Sequence, residues 1–291
     1  MPVLFGALLA PTLTDALLNW KRLLLSLTAM VLLQAAFNIL NDVSDFNRGL
    51  DREPKPVSGA VVRRLLTPRQ ALRGAAVLFA LGILLGLYLA RESTWWLLPV
   101  GVSGVVLGLF YTPGGAFALK YLGLGDLAVF TAFGLLGSLG AWMVQSGSAA
   151  WPPVIFAIPQ SLLVAAILHA NNWRDMQTDI QGSIRTPALF MGDRGSSIYL
   201  HLLVISPFIL VPSFVFIPGW CFPRISALPS TCLLTLAALP AALRLLTHAR
   251  RRHSAAGSEV FQALDGATAR LNLIFGLLLN TGLFVHLLIR D

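Results

Sequence analysis

Residues 127–173 read LAVFTAFGLLGSLGAWMVQSGSAAWPPVIFAIPQSLLVAAILHANNW, 47 positions without a charged side chain. A helix crosses a bilayer with about 20 apolar residues. The stretch therefore predicts two spans, with a turn at Gly147-Ser148 followed by Trp151-Pro152-Pro153. Backbone groups in lipid must be satisfied within their own segment, so runs of this length are helices, not strands. The pattern repeats on both sides: 23–41, 225–243 and 271–289 are each 19 residues without a charge, 74–90 is 17, and 93–119 and 195–223 are longer. Together these predict an all-α membrane protein, one domain over residues 1–291, with about nine transmembrane helices. Their expected positions are 2–19, 23–41, 72–90, 95–111, 124–145, 153–172, 197–217, 228–246 and 269–289. Composition agrees, since 56% of residues are hydrophobic and 12% charged, against about a quarter charged in soluble domains.

The first residues lack a basic stretch and a small-residue cleavage site, so no cleavable signal peptide is expected. Cys221 and Cys232 are too few and too isolated for a disulfide framework or a metal site and read as packing residues. The formal charge of +8 is not a nucleic-acid footprint. Of 21 Lys and Arg, 16 lie in the four loops after the second, fourth, sixth and eighth predicted helices or in their flanking turns. That bias predicts that those loops are cytoplasmic, in an integral protein of the cell membrane whose environment is the lipid bilayer. Arg250-Arg251-Arg252 reads as a contact for anionic lipid.

Acidic residues number only 13, and two groups of them stand out on the side predicted to be cytoplasmic. At the end of the second helix Asn38, Asn41, Asp42 and Asp45 recur at i, i+3, i+4 and i+7 and share one face, followed by Arg48 and Asp51. At the end of the sixth, Asn171, Asn172, Arg174, Asp175 and Asp179 follow His169, with Asp175 and Asp179 again at i, i+4. Carboxylates at a hydrocarbon boundary are costly unless a cation meets them. Oxygen ligands so spaced suit Mg²⁺, which keeps several waters and is readily shared with phosphates. Two such motifs facing one cavity would hold one or two Mg²⁺ on a diphosphate, with Asp42, Asp45, Asp175 and Asp179 as ligands. Lys120, Arg174 and one or more of Arg48, Arg52 and Arg185 would cover the remaining phosphate charge.

These paired motifs resemble the UbiA superfamily of intramembrane prenyltransferases. The narrower likeness is to the 1,4-dihydroxy-2-naphthoate polyprenyltransferases of menaquinone synthesis. It rests on Asp45-Phe46-Asn47-Arg48-Gly49-Leu50-Asp51, on Val57-Ser58-Gly59 followed by Thr67-Pro68-Arg69-Gln70, on Lys120-Tyr121-Leu122-Gly123-Leu124-Gly125-Asp126 and on His169-Ala170-Asn171-Asn172. Three features depart from the family pattern. The chain opens at Pro2-Val3-Leu4 without the usual Arg-Pro element, and Val62-Arg63-Arg64-Leu65 lengthens the loop after Gly59. Where a Gly-Lys-x-Thr pattern is usual, the chain has Gly182-Ser183-Ile184-Arg185-Thr186, leaving Arg185 to replace the Lys.

The resemblance implies a UbiA-like helical bundle with an active-site cavity facing the cytoplasm. It also implies transfer of a polyprenyl group from a Mg²⁺-bound diphosphate to an aromatic ring, with loss of CO₂ in the naphthoate branch to give demethylmenaquinol. Asp45, Asp175 and Asp179 would act at the metal. Tyr111 stands either beside the allylic cation and diphosphate or in an aromatic belt. Asp126 caps a helix, orients Lys120 or touches the acceptor, and His169 places the acceptor or packs between helices. Homogentisate, 4-hydroxybenzoate, 1,4-dihydroxy-6-naphthoate, haem b and a chlorophyllide remain open as acceptors. A transporter would carry its ionisable groups near mid-membrane. A non-catalytic prenyl- or quinone-binding protein would lack at least one motif carboxylate.

Overall fold

Helices account for all regular structure among the described residues of this computed structural model, namely 1–49, 59–111, 118–181, 185–216, 227–250, 252 and 261–290. Asp51 of the first motif, the candidate phosphate contact Arg52, Val57-Ser58, Gly182-Ser183-Ile184, Pro218, Cys221 and Arg251 lie outside them. The main helices are α1 (Pro2–Leu13), α2 (Trp20–Asn47), α3 (Pro68–Glu92), α4 (Leu97–Tyr111) and α5 (Gly125–Ser146). They continue with α6 (Ile158–Arg174), α7 (Pro187–Phe216), α8 (Ser230–Ala249) and α9 (Leu264–Arg290). Six of these, α2, α3, α5, α7, α8 and α9, are long and apolar enough to cross a membrane. Three segments expected as spans are shorter here: α1 has 12 residues, α4 has 15 and α6 has 17.

Local chemistry explains most boundaries. The turn expected at 147–153 forms, with Gly147 at φ +75° accepting the left-handed conformation that ends α5, and Pro152 opening the short helix Pro152–Phe156. Thr67 and Gln70 form a reciprocal capping box that starts α3. The Thr67-Pro68-Arg69-Gln70 signature is therefore a helix start in this fold. α1 ends at Leu13, not at 19 as its hydropathy suggests, and Thr14 caps it by donating from Oγ1 to the Ala10 carbonyl at 2.7 Å. Asp15 lies beyond this end and is exposed. Irregularity concentrates in the other elements. α5 opens into a π-helix over Phe130–Leu136, α8 begins as a 3₁₀ helix over Ser230–Ala238, and α7 kinks at Gly192 (φ +64°).

α1 is short but lies inside the molecule, with nine of its 12 residues buried. Phe5, Leu8 and Leu9 join Trp142 and Met143 of α5, Leu163 of α6, Leu200 and Phe208 of α7, and Phe275 and Leu279 of α9 in one core. α2 and α3 pack on each other and turn Leu24, Val77 and Leu84 outward, as a lipid-facing surface requires. Helices approach closely where side chains are smallest. A methyl on Gly6 would collide with the Ser138 backbone carbonyl, whereas one on Gly74 would meet nothing within 4 Å. Gly6→Ala should therefore lower stability by about 1–3 kcal/mol, while Gly74→Ala leaves it unchanged or slightly higher. Thermal unfolding of both variants in detergent checks this contrast.

Candidate active site

The site forms where α2, α6 and α9 end or begin together with the loop before α5. Asp45 stays on the last turns of α2, 8% exposed, and receives Lys120 Nζ at 2.9 Å on Oδ1 and 2.7 Å on Oδ2. Lys120 arrives on the 3₁₀ turn Leu119–Leu122, which Gly123 closes at φ +75°. Asp42, one turn earlier, faces a different group. It accepts from the Val61 N–H at 3.3 Å and packs under Gly59, where a Cβ would strike its carboxylate. The glycine and Asp42 thus fix the loop returning to α3.

The second motif is not one continuous helix. α6 ends at Arg174, Asp175 adopts φ −93° and ψ 11°, and a short helix resumes over Met176–Gln181. The i, i+4 relation survives, because the Asp179 N–H donates to the Asp175 carbonyl at 2.9 Å. Arg174 spreads its guanidinium across three partners. Nε and Nη2 form a fork on Asp175 at 2.8 and 2.6 Å, Nη2 also reaches Asn171 Oδ1 at 2.6 Å, and Nη1 pairs with Asp265 at 2.6 Å.

Asp179, outside the long apolar helices, draws the two motifs together. Burial and then Asp175 push its carboxyl up, with Asp45 adding, to about 6 against the lowering by Lys120 and Arg174. Its buried Oδ2 has no hydrogen-bond partner. Among the described residues, the carboxylates of Asp45, Asp175, Asp179 and Asp265 outnumber the two cations, Lys120 and Arg174, that are seen to meet them. That surplus and the orphaned oxygen fit a divalent cation of oxygen-ligand type such as Mg²⁺. Among the described residues no three acids converge as ligands; Lys120 holds Asp45 and Arg174 holds Asp175.

A cavity of about 840 Å³ opens beside this cluster. Its walls are largely apolar, including Leu107, Val129, Phe133 and Val164, and Asn38, Asn41, Tyr111, Asn171 and Asp265 supply polar groups. Asn38 and Asn41 of the first motif, Asn171 of the second and Tyr111 thus share one space. Arg174, bonded to both Asn171 and Asp265, links that space to Asp175.

Other expected residues take different positions. Asp126 and His169 are buried side by side, 3.6 Å from Oδ2 to Nδ1, and neither lines the cavity. The Asn172 amide donates to Asp126 at 3.4 Å, and His169 Nε2 lies 3.1 Å from the Ser196 carbonyl. Asp126 therefore joins α5 to α6, makes no side-chain cap on its own helix, and leaves Lys120 to Asp45. Arg48 and Arg185 are exposed. Sequence reasoning missed Asp265, whose only signal was an acid opening the last helix. It also missed Asp193, which accepts from Trp173 Nε1 at 2.9 Å and pairs with Arg252.

Because the carboxyl of Asp179 is raised above its unfolded value of 3.8 to about 6, its stabilising contribution is complete below pH 4 and lost as pH rises through 6. In Mg²⁺-free detergent, Asp179→Asn should exceed the parent in stability by about 1 kcal/mol above pH 7, allowing for partial exposure. The difference should vanish near pH 4, as read by melting temperature across pH.

The model of the UbiA prenyltransferase family matches residues 1–265. The UbiA prenyltransferase domain-containing protein 1 of Rattus norvegicus is 32% identical over 98% of this chain and 79% of its own length. The 1,4-dihydroxy-2-naphthoate octaprenyltransferase of Mycobacterium tuberculosis is 36% identical over 72% of each chain. That of Bacillus subtilis is 34% identical over 67% of this chain and 62% of its own. Among solved structures, the apo form of a UbiA homolog from Aeropyrum pernix superposes with a TM-score of 0.65 at 17% identity, covering 94% of this chain and 96% of that one. A UbiA homolog from Archaeoglobus fulgidus bound to GPP and Mg²⁺ gives 0.58 at 12% identity over 96% and 94%.

Proposed function

We propose, from the premise that this chain belongs to the UbiA prenyltransferase family, that it is a Mg²⁺-dependent aromatic prenyltransferase of the cell membrane with its site on the cytoplasmic side. Its acceptor in this reading is 1,4-dihydroxy-2-naphthoate, and its product is demethylmenaquinol. The observation that carries the reading is the cavity. An apolar volume of about 840 Å³ holding Asn38, Asn41, Tyr111 and Asn171, joined through Arg174 to a carboxylate-rich cluster, suits a ligand with a hydrocarbon body and an anionic head.

Asp45, Asp175 and Asp179 would hold Mg²⁺, with Asp42 supporting the loop at Gly59 and Val61. Bound there, the ion supplies Lewis-acid stabilisation of charge on the departing diphosphate. Lys120 and Arg174 would turn from their carboxylates to the phosphate oxygens, adding charge-assisted hydrogen bonds. Asn38, Asn41 and Asn171 offer amides to the diphosphate or to acceptor oxygens. The C–O bond of the prenyl diphosphate breaks, its electron pair leaving with the diphosphate. The allylic carbon then bonds to an electron-rich ring carbon, and loss of CO₂ from that carbon restores aromaticity. Apolar walls would keep water from the allylic cation, and Tyr111, which lines the cavity, would stabilise positive charge with its ring. Asp126 and His169 hold α5 and α6 in register behind the cavity.

The relatives named for naphthoate match about two thirds to three quarters of this chain, whereas the vertebrate relative matches nearly all of it. An acceptor outside the naphthoate branch is therefore the second reading, and a panel decides between them. Purified protein with a long-chain prenyl diphosphate and Mg²⁺ should give decarboxylated, prenylated naphthoquinol from 1,4-dihydroxy-2-naphthoate by mass spectrometry. Product from homogentisate or 4-hydroxybenzoate alone would overturn the acceptor, and no product from any acceptor would overturn the enzyme. Asp45→Asn and Asp175→Asn should each cut turnover at least about 100-fold with unchanged folding by size-exclusion chromatography.

A further inference from the structure

We propose that Asp265, at the start of α9, is a positioning residue that keeps Arg174 in place when Asp175 releases it to bind the metal–diphosphate. The proposal rests on the metal-dependent reading above. Arg174 and Asp175 are locked face to face by a two-bond fork, and Asp175 cannot give the same lone pairs to a cation. If the fork were the only anion beside Arg174, its release would strand a guanidinium whose side chain is only 17% exposed. Asp265 prevents that. It meets Nη1, on the edge of the guanidinium that the fork does not use, from a helix 91 positions farther along the chain.

The place of Asp265 is fixed by its own helix. Leu264 is 1% exposed and Thr268 is fully buried, so the first turn of α9 is anchored against the core. A carboxylate in a first turn meets the positive end of the helix dipole. With Asp265 present, Arg174 has a carboxylate partner both before and after the exchange, and its freed Nε–Nη2 edge becomes the fork that grips a phosphate. Asn171, bonded to Nη2 in the same cluster, steadies that edge.

Binding of geranylgeranyl S-thiodiphosphate, an unreactive probe, should therefore be followed against Mg²⁺ concentration without any acceptor, by thermal shift of the detergent-solubilised chain. Asp265→Asn should raise the half-saturating Mg²⁺ concentration about tenfold, and Asp265→Glu should recover most of the loss. In an Arg174→Gln background, Asp265→Asn should add nothing, since the coupling runs through Arg174. An unchanged half-saturation in Asp265→Asn overturns the proposal. An equal shift in the Arg174→Gln background overturns it too, because Asp265 would then act on the ligand directly. If the parent chain shows no Mg²⁺-dependent binding of the probe, the prenyltransferase reading fails along with it.

Discussion

The arrangement of the site depends on balancing like charges where an apolar bundle meets water. A carboxylate buried at such a boundary must find a cation, and Lys120 and Arg174 are the cations the fold provides for Asp45 and Asp175. Each pair also ties together distant parts of the chain. Lys120 holds the turn before α5 against the end of α2, and Arg174 holds the end of α6 against the start of α9. Beside these pairs Asp179 keeps a raised carboxyl and an unbonded oxygen. The same electrostatics therefore stabilise the resting arrangement and leave room for a divalent ion.

The cavity separates two tasks. Its walls come largely from α2, α4, α5 and α6, whose Leu, Val and Phe side chains would serve any hydrocarbon chain, while Asn38, Asn41 and Asn171 come from the two motifs. Behind the wall, Asp126, His169 and Asn172 form a buried polar junction between α5 and α6, with His169 also reaching α7 through the Ser196 carbonyl. The Asn172–Asp126 and His169–Ser196 contacts cross the junction, whereas Asp126 Oδ2 and His169 Nδ1 face each other without a hydrogen-bond partner.

Much of this was legible in the sequence. Charge-free runs located the helices, and Gly147 with Pro152 marked the turn within the longest run, because these signals are local. The spacing of the two acidic motifs put each on one helical face and marked them as candidates for a shared site. What spacing does not carry is direction. Asp42 and Asp45 lie on one helical face, yet Asp42 turns to Val61 and Asp45 to Lys120. Asp126 and His169 looked like site residues and pair with each other behind the cavity. Asp265 gave almost no signal, since a single acid opening a helix has many uses, and only the meeting of α9 with α6 gives it one. The limits of α1 were misjudged for a similar reason: hydropathy extends past Leu13, but Thr14 ends the helix.

The burial of α1 bears on how the molecule is assembled. Its neighbours are α5 and α9, so contacts of the first helix span most of the chain, as between Gly276 and Met1 or between Arg290 and the Pro11 carbonyl. Contacts of such long sequence separation form late, because the intervening loop must close first. A chain entering the membrane from its amino end would bring α1 its α5 neighbour first and its α9 neighbour last. Met1, Pro2 and Val3 line the cavity on one side and Asp265 and Asn272 on another, so the substrate chamber is enclosed by the same late step that completes the bundle.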